Sequence, residues 1–298
     1  MFIIHYRKVF YAIAILLVGF SIFSIAKFGL NYGIDFKGGT IIEVHYTQNA
    51  SSTDMMSNEQ IRTALQSQNL GEVIVRQAGE NGYIIRTKAL SEIERKAVVA
   101  TLGGEVKRFD SVGPVLGDEL KGKAVWSIIL VILAIVLFIT YVFRHVSRPI
   151  ASWKYGAVAI IALLHDVLIP TGIFAFMGRN GGYEIDALFV TALLVILGFS
   201  VHDTIVVFDR TRENLRINSN KKTFSQIVGE SITQTLSRSI NTSLTTMLSL
   251  LALYFFGPET TKNFSLVLIL GIAVGTYSSI FVGSPLLVTL EKWQSKKK

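Results

Sequence analysis

The sequence predicts a polytopic α-helical membrane protein with six transmembrane helices and an inserted α+β domain. Half of the residues are hydrophobic, only 17% are charged, and the apolar residues form long uninterrupted runs instead of amphipathic stripes. The segment 30–123 breaks this pattern, because it alternates short strand-like and helix-like stretches of mixed polarity. Most of the chain therefore belongs in a bilayer, with one folded domain outside it.

Six runs are long enough to cross a bilayer, since a transmembrane helix needs about 20 apolar residues. They cover 9–28, 124–143, 155–176, 187–208, 239–256 and 264–288. The first run follows Arg7 and Lys8 in the manner of a signal peptide, but its apolar core is too long and no small-residue cleavage site follows it. We therefore expect it to remain as an anchor.

The distribution of lysine and arginine predicts that both termini are cytoplasmic (N-in/C-in). Basic residues gather before the first span, between spans two and three, between spans four and five, and after span six, whereas the loops 177–186 and 257–263 hold one each. The formal net charge of +8 is thus a topology signal and does not indicate nucleic-acid binding. The C-terminal Lys296, Lys297 and Lys298 are expected to meet anionic lipid at the inner surface.

The segment between spans one and two predicts a ferredoxin-like domain. Its expected elements are a strand at 40–46, a helix from a Ser57–Gln60 capping box to about 68, strands at 72–78 and 82–88 joined by a tight hairpin at Asn81–Gly82, a helix from a Ser91–Glu94 capping box to about 102, and a strand at 105–112. No set of residues in it resembles a catalytic site. Its lone His45 lacks a second ligand at metal spacing, and the chain contains no cysteine for a disulfide.

Glycines are concentrated where this domain meets the spans. Gly33, Gly38 and Gly39 precede its first strand, and Gly113 and Gly117 follow its last. This density indicates turns with positive φ or close backbone approach, and we expect these residues to act as hinges on which a rigid domain moves. The Gly38–Gly39 pair lacks the spacing of a phosphate-binding loop.

Two carboxylates, Asp166 and Asp203, lie well inside predicted spans, and each directly follows a histidine. An ionisable side chain in hydrocarbon costs about 2.5 to 3.5 kcal/mol on insertion scales, so it is kept mainly where it moves an ion or a proton. Ser200, Asp203 and Thr204 share one helix face. Asp166 is either a second titrating site or a structural partner of neighbouring hydroxyls.

The fifth span carries a polar stripe that we expect to face Asp203. Its members, spaced at helical intervals, are Arg238, Asn241, Thr242, Thr245 and Ser249. Arg238 is either a fixed counter-charge for Asp203 or a side chain that snorkels to the interface. His202 is open to three roles, which are relaying protons, tuning Asp203 or packing.

Two further features indicate helix contacts. Gly271, Gly275, Ser279 and Gly283 form a ladder of small residues along span six, which serves either internal packing or a subunit contact. An apolar stripe from Phe224 to Leu236, opened by a Thr223–Gln226 capping box, predicts a separate helix lying along the inner face.

Five motifs carry a resemblance to a known family. In chain order they read GIDFKGGT (Gly33–Thr40), SVGPVLGDEL (Ser111–Leu120), ALLHDVL (Ala162–Leu168), GFSVHDTIVVFDRTREN (Gly198–Asn214) and QTLSRSINTSLTT (Gln234–Thr246). Across nearly the whole chain they resemble SecF of the SecD/SecF family of protein-export membrane proteins, within the RND superfamily. In SecD the first motif usually has Leu and Arg where this chain has Ile34, Phe36 and Lys37.

The resemblance implies a function that periodicity does not show. It implies a bacterial inner-membrane protein that works with SecD beside the SecYEG translocon, and with YajC, and that uses the proton motive force to promote translocation of preproteins. It makes the inserted domain periplasmic and assigns Asp203 and Arg238 to a proton path, for which His202, Thr204 and Asp166 are the further candidates. Family members commonly have Asn where this chain has His202.

The predicted spans and the resemblance together indicate how the chain is divided and which cofactors and activities it lacks. We expect a first transmembrane helix at 1–29, a periplasmic domain at 30–123, and a five-helix transmembrane domain at 124–298 with a cytoplasmic loop at 209–238. Protons are the coupling ion, with no other cofactor, no metal and no enzymatic activity. The rival interpretation is half of an RND-type proton-coupled transporter for a small molecule or lipid. An intramembrane hydrolase is disfavoured because its motifs are missing from the sequence.

Overall fold

The computed structural model describes residues 1–46, 56–68, 70–79, 81–144, 151–179, 183–218 and 221–295. The chain divides into two compact units, one formed by Tyr32–Val125 and the other by Met1–Asn31 with Trp126–Lys298. We call them the outer unit and the membrane unit. The predicted lipid contacts of Lys296, Lys297 and Lys298 lie outside the described residues.

Helices dominate the chain, and the strands found among its described residues lie in the outer unit. The elements in chain order are α1 (Phe2–His5), α2 (Arg7–Phe28), α3 (Ile34–Lys37), β1 (Gly39–His45), α4 (Asn58–Gln66), β2 (Ile74–Ala78), β3 (Gly82–Thr87), α5 (Glu92–Leu102), β4 (Glu105–Val112), α6 (Pro114–Val142), α7 (Ser152–Gly178), α8 (Ala187–Asn218), α9 (Phe224–Phe256), α10 (Glu259–Tyr277), a π-helical segment (Ser278–Gly283) and α11 (Ser284–Ser295). We call Ser278–Gly283 the π segment. The predicted fold class is confirmed, because the described residues include six helices long and apolar enough to cross a membrane together with the inserted α+β domain.

The outer unit contains a four-stranded antiparallel sheet in the order β2-β3-β1-β4. This order, with one helix after β1 and one after β3, is the ferredoxin-like arrangement. The strands pack with α4 and α5 into one apolar core, formed by Ile42, Val44, Tyr46, Ile61, Leu65, Leu70, Val73, Tyr83, Ile85, Val98 and Leu102. The Tyr46 hydroxyl donates to the carbonyl of Leu102 at 2.8 Å, which fixes the end of α5 to the end of β1.

α4 and α5 begin at the predicted capping boxes. The hydroxyls of Ser57 and Ser91 accept from the backbone N–H three residues on, and the side chains of Gln60 and Glu94 accept from the cap backbone in return. A cap of this kind contributes about 1 kcal/mol to helix stability. His45 lies on β1 and contacts Glu43 at 3.1 Å, as expected for a histidine on a strand face.

The hairpin between β2 and β3 differs from the prediction. Ala78 pairs directly with Gly82, so the connection has three residues, and Gly79 takes the positive φ of 71°. Gly82 lies inside β3, where a Cβ would come within 2.5 Å of the Ala78 carbonyl oxygen. The Asn–Gly pair therefore marks a close backbone approach instead of a two-residue turn.

The five predicted hinge glycines all lie inside the outer unit. Gly38 and Gly39 have φ values of 76° and 136°, and a Cβ on Gly38 would lie 2.9 Å from Cα of Pro114. A Cβ on Gly117 would lie 3.0 Å from the Gly38 backbone nitrogen. These glycines therefore allow the first and last segments of the unit to pack closely. Hinge motion at Gly33, Gly38, Gly39, Gly113 and Gly117 stays a prediction.

The segment predicted as a cytoplasmic loop at 209–238 is mostly helical. α8 continues to Asn218 and α9 begins at Phe224, so the two form long continuous helices. The prediction of a separate helix along the inner face was wrong, because α9 runs from Phe224 into span five without a break. Buried Ile227, Val228 and Ile232 join the core of the membrane unit.

Span six is not one regular helix. It consists of α10, the π segment and α11, and Pro285 lies in the first turn of α11. Proline has no N–H to donate to the carbonyl four residues earlier, so a change of helical register just before it is expected. The π segment packs in the middle of the membrane unit, where Ser278, Ser279 and Ile280 are buried.

Candidate functional site

Asp166 is the most completely buried carboxylate of the membrane unit, with no exposed surface. Its Oδ2 accepts hydrogen bonds from the hydroxyls of Ser200 on α8 and, at 2.8 Å, Ser278 in the π segment. Its Oδ1 lies 2.9 Å from Nδ1 of His165. One side chain thereby joins α7, α8 and span six.

Irregular backbone surrounds this carboxylate on two helices. Pro170 lies inside α7 four residues after Asp166, so it cannot donate to the Asp166 carbonyl. The π segment brings two consecutive serines to different neighbours. Ser278 binds Asp166, while the Ser279 hydroxyl lies 2.9 Å from Oγ1 of Thr204 and donates to the Ser200 carbonyl at 3.2 Å.

Asp203 occupies a separate environment on α8. It is 3% exposed, and its polar neighbours are Ser239 of α9 and the charged or chargeable side chains of His202 and Arg238. In the part of the chain that the structure describes, Oδ2 of Asp203 and Oγ of Ser239 are buried and have no hydrogen-bond partner within bonding geometry. An ionised carboxylate is costly to leave so poorly solvated, whereas a neutral one is tolerated more easily.

The predicted polar stripe of α9 faces outward, which corrects our expectation. Arg238, Asn241, Thr242, Thr245 and Ser249 are all exposed. The threonine and serine hydroxyls donate to carbonyls of their own helix, as in the 2.9 Å bond from Thr242 to Arg238. The inward face carries Ser231, Thr235, Ser239 and Ser243 instead.

The small-residue ladder of span six packs against helices of the same chain. A Cβ on Gly271 would overlap Cδ1 of Ile196, and one on Gly275 would lie 3.1 Å from Cβ of Ser200. Ser279 contacts α8 through its hydroxyl, and Gly283 approaches α7 more loosely. The ladder therefore seats span six close to the helix that carries Asp203.

Sequence reasoning missed two residues of the site, Ser278 and Ser239, and it missed the hydrogen bond between Ser200 and Asp166. Continuing the apolar stripe of Phe224 to Ile232 along the same helix would have placed Ser239 inward and Arg238 outward. Among the described residues no group of three or more His, Cys, Asp or Glu is arranged to hold a metal ion.

The fold and this site define a multi-pass membrane protein with ionisable side chains inside its helical bundle. Comparison with known proteins specifies the family. Residues 94–293 match the family model of the C-terminal region of protein export membrane protein SecD/SecF, and residues 23–50 match the SecD/SecF GG motif.

Full-length relatives agree with this match. The chain is 42% identical to the protein translocase subunit SecF of Thermobaculum terrenum, over 99% of this chain and 94% of that protein. It is 38% identical to SecF of Anaerolinea thermophila, over 97% of this chain and 94% of that protein. The chain belongs to the SecF family of protein-export membrane proteins.

Solved structures of SecDF share the fold. The crystal structure of SecDF from Thermus thermophilus, described as a translocon-associated membrane protein, matches 97% of this chain with a TM-score of 0.81 and 32% identity. SecDF in the super-membrane-facing form matches 99% with a TM-score of 0.69 and 31% identity. The chain spans only 38% and 39% of those chains. The Sec export interpretation is thereby confirmed over that of a small-molecule transporter half.

Proposed function

We propose that this chain is the SecF subunit that works with SecD and converts the proton motive force into preprotein translocation. The observation that carries the proposal is Asp203, a carboxylate inside a membrane-crossing helix whose Oδ2 is buried without a hydrogen-bond partner among the described residues. Such a group is expensive to keep and is retained mainly for ion or proton movement.

In the proposed cycle Asp203 binds and releases one proton. Ser239 lies beside the carboxyl on the neighbouring helix, so its hydroxyl can donate to the charged form or accept from the protonated form. Arg238 keeps its charge at any physiological pH and acts as the fixed counter-charge that favours proton release. Thr204, adjacent to Asp203, ties this part of α8 to the π segment.

SecD is the proposed partner on the polar face of α9. This face presents a guanidinium, an amide and several hydroxyls at the surface of a helix that crosses the membrane. Lipid does not solvate such groups well, so a protein partner that covers them is favoured over bare hydrocarbon. The SecDF structures support a SecD partner, because this chain accounts for less than half of the SecDF chain.

The remaining assignments follow from this role. We propose that the chain is a transport component without a catalytic site, that protons are its coupling ion with no other cofactor, and that SecYEG, YajC and the translocating preprotein are its further partners. The proposed location is the bacterial inner membrane, with the outer unit in the periplasm.

Replacing Asp203 by Asn tests the proposal directly. The amide imitates only the uncharged state, so Asp203→Asn should assemble normally yet reduce export of a pulse-labelled periplasmic reporter to the level of cells lacking the chain. The matched control is Asp209→Asn, which alters an exposed carboxylate paired with Arg212 at 2.6 Å and should leave export near normal. Near-normal export by Asp203→Asn, in cells with no other copy, would refute the proposal.

A further inference from the structure

The His165–Asp166 pair is a second buried ionisable group that the proposed cycle at Asp203 does not use. Asp166 is completely buried and His165 is 5% exposed. The Asp166 carboxylate accepts from the hydroxyls of Ser200 and Ser278 and shares a third hydrogen bond with Nδ1 of His165. The pair therefore lies in a buried region where a net charge is costly.

The two carboxylate oxygens have different capacities for a proton. Oδ2 receives both serine hydroxyls, so it has little room for a hydrogen of its own. Oδ1 lies 2.9 Å from Nδ1 of His165, which is its one hydrogen-bond partner among the described residues. A proton on Asp166 must therefore lie on Oδ1. The Oδ1–H group then donates a hydrogen bond to Nδ1 of His165, which is the ring nitrogen without a hydrogen in that state.

His165 provides a route for that proton. Its Nε2 is buried and has no hydrogen-bond partner within the described ranges of the chain. The imidazole ring stacks on Tyr277 with 6.2 Å between the ring centroids, immediately before the π segment. Nε2 is thus a second titratable position directed away from Asp166.

We propose that His165 and Asp166 form a second proton-binding site whose charge controls the π segment. One proton binds at Nε2 of His165, and the hydrogen on Nδ1 passes to Oδ1 of Asp166. The pair gains one proton and changes from a net charge of minus one to zero. His165 ends neutral with its hydrogen on Nε2, which donates to no described residue until the proton leaves.

Neutralisation weakens the hold on the π segment. Hydrogen bonds to a charged acceptor are about twice as strong as bonds between neutral groups. Ser278 also donates to the Gly275 carbonyl at 3.0 Å, so it has an alternative partner within its own helix when Asp166 is neutral. The neighbouring Ser279 binds Thr204 and the Ser200 carbonyl, so a register change in the π segment reaches the stretch of α8 next to Asp203.

The surroundings of the pair contain few other groups that titrate. From α8 the facing group is Ser200, from the π segment Ser278, and from the end of α10 the phenol of Tyr277, which stacks on His165. On α7 itself the pair consists of His165 and Asp166 alone. Ser279 also links the π segment to Thr204 beside Asp203, so variants of His165 and Ser278 are needed to separate a response of this pair from a response at Asp203.

The inference rests on the proposed proton-driven role, and infrared spectroscopy separates the two. The full chain, reconstituted with SecD in lipid vesicles, is titrated while the carboxylic acid C=O stretching band of buried protonated carboxyls is recorded. Two bands should appear with falling pH, one lost in Asp203→Asn and the other lost in Asp166→Asn. If the Asp203 band is absent while the Asp166 band is present, the result counts against the proposed function and leaves this inference standing.

The link to the π segment is read by hydrogen exchange of the amides of 278–283 across the same pH range. Protection, taken relative to the intrinsic exchange rate at each pH, should change with pH in the wild type and in the control Ser295→Ala, whose side chain is exposed at the end of α11. Ser278→Ala should keep the Asp166 band but lose the exchange response. His165→Gln, which retains a donor toward Oδ1 and cannot take up a proton, should also lose the response.

Two results would overturn the inference. If no carboxylic acid band depends on Asp166, the residue is a permanent hydrogen-bond acceptor. If the exchange of 278–283 responds to pH in Ser278→Ala and His165→Gln as it does in the wild type, the π segment does not depend on the pair. These two variants retain Asp166, so the test holds even where Asp166→Asn fails to fold.

Discussion

At the residue scale, the two intramembrane aspartates have opposite surroundings although each follows a histidine. The Asp166 carboxylate has hydrogen-bond partners on three side chains, whereas Oδ2 of Asp203 has no partner in the described part of the chain. His165 is buried beside its aspartate, but His202 is exposed on the outer side of α8. The same dipeptide therefore serves different chemistry at the two positions, because helix phase decides where each imidazole points.

Arg238 gives a prediction at this scale. Because a neutral side chain cannot supply a counter-charge to Asp203, Arg238→Met should block proton-dependent export at normal membrane levels, while Arg238→Lys should retain part of it. Export of a pulse-labelled reporter measures both, with Arg216→Met at the exposed end of α8 as the control. Full activity of Arg238→Met would make this residue an interface anchor.

At the element scale, close helix crossings organise the membrane unit. A Cβ added to Gly172 of α7 would overlap Cα of Ser21 on α2, so the two backbones approach each other directly. Backbone cannot move aside as a flexible side chain can. Small residues at such crossings are the usual means by which membrane helices pack.

Gly172→Ala should therefore separate α2 from α7. We expect a loss of about 1 to 3 kcal/mol in stability from this overpacking, measured by thermal unfolding of the chain in detergent. Gly198→Ala is the matched control, because a Cβ there meets nothing within 4 Å and alanine favours the helix. Equal stability of the two variants would contradict the close crossing.

The capping box of α5 gives a prediction for pH. The Ser91 backbone N–H, then Lys88 and the Ser91 hydroxyl, lower the pKa of Glu94 from 4.5 to about 2. A carboxylate whose pKa is lower in the folded state than in the unfolded state stabilises the fold at pH values above its unfolded-state pKa. That contribution is lost as the pH falls to the folded-state pKa. Amide protection at the start of α5 should decline between about pH 4.5 and 2, and Glu94→Gln should show no such decline.

At the scale of the whole molecule, the connections between the units are of two kinds. α2 ends at Phe28 and is followed by Gly29, whose φ is 70° and whose Cβ position is open, shortly before the border at Asn31. α6 instead runs unbroken from Pro114 to Val142 across the border at Val125. A continuous helix transmits displacement better than a glycine turn does, so we expect mechanical coupling of the outer unit to depend on α6.

Pinning the outer unit tests this coupling. The chain has no cysteine, so one cysteine in the outer unit and one in the segment between α7 and α8 can be scanned for pairs that form a disulfide. If proton movement at Asp203 drives displacement of the outer unit, the bridge should stop export and reductant should restore it. Unchanged export with the bridge fully formed would show that the unit is a static platform.

Local patterns in the sequence determined most of the architecture. Runs of about 20 apolar residues predict spans, alternation and capping boxes predict the ferredoxin-like domain, and a charge in hydrocarbon stands out wherever it occurs. Each signal lies within one stretch of chain, where helix or strand geometry alone gives it meaning. The family motifs are equally local, which is why the amino-acid sequence alone carries the resemblance to SecF.

Only the tertiary structure decided which residues form the site. Ser200 and Ser278 reach Asp166 from 34 and 112 positions away, and no local period encodes that choice. The inward face of α9 also depended on the structure, because the second half of the helix is polar on two sides and the apolar stripe of its first half is informative only once the helix is known to be continuous. Packing between distant helices fixed both, since it alone determines which hydroxyls lie within reach of a buried carboxylate.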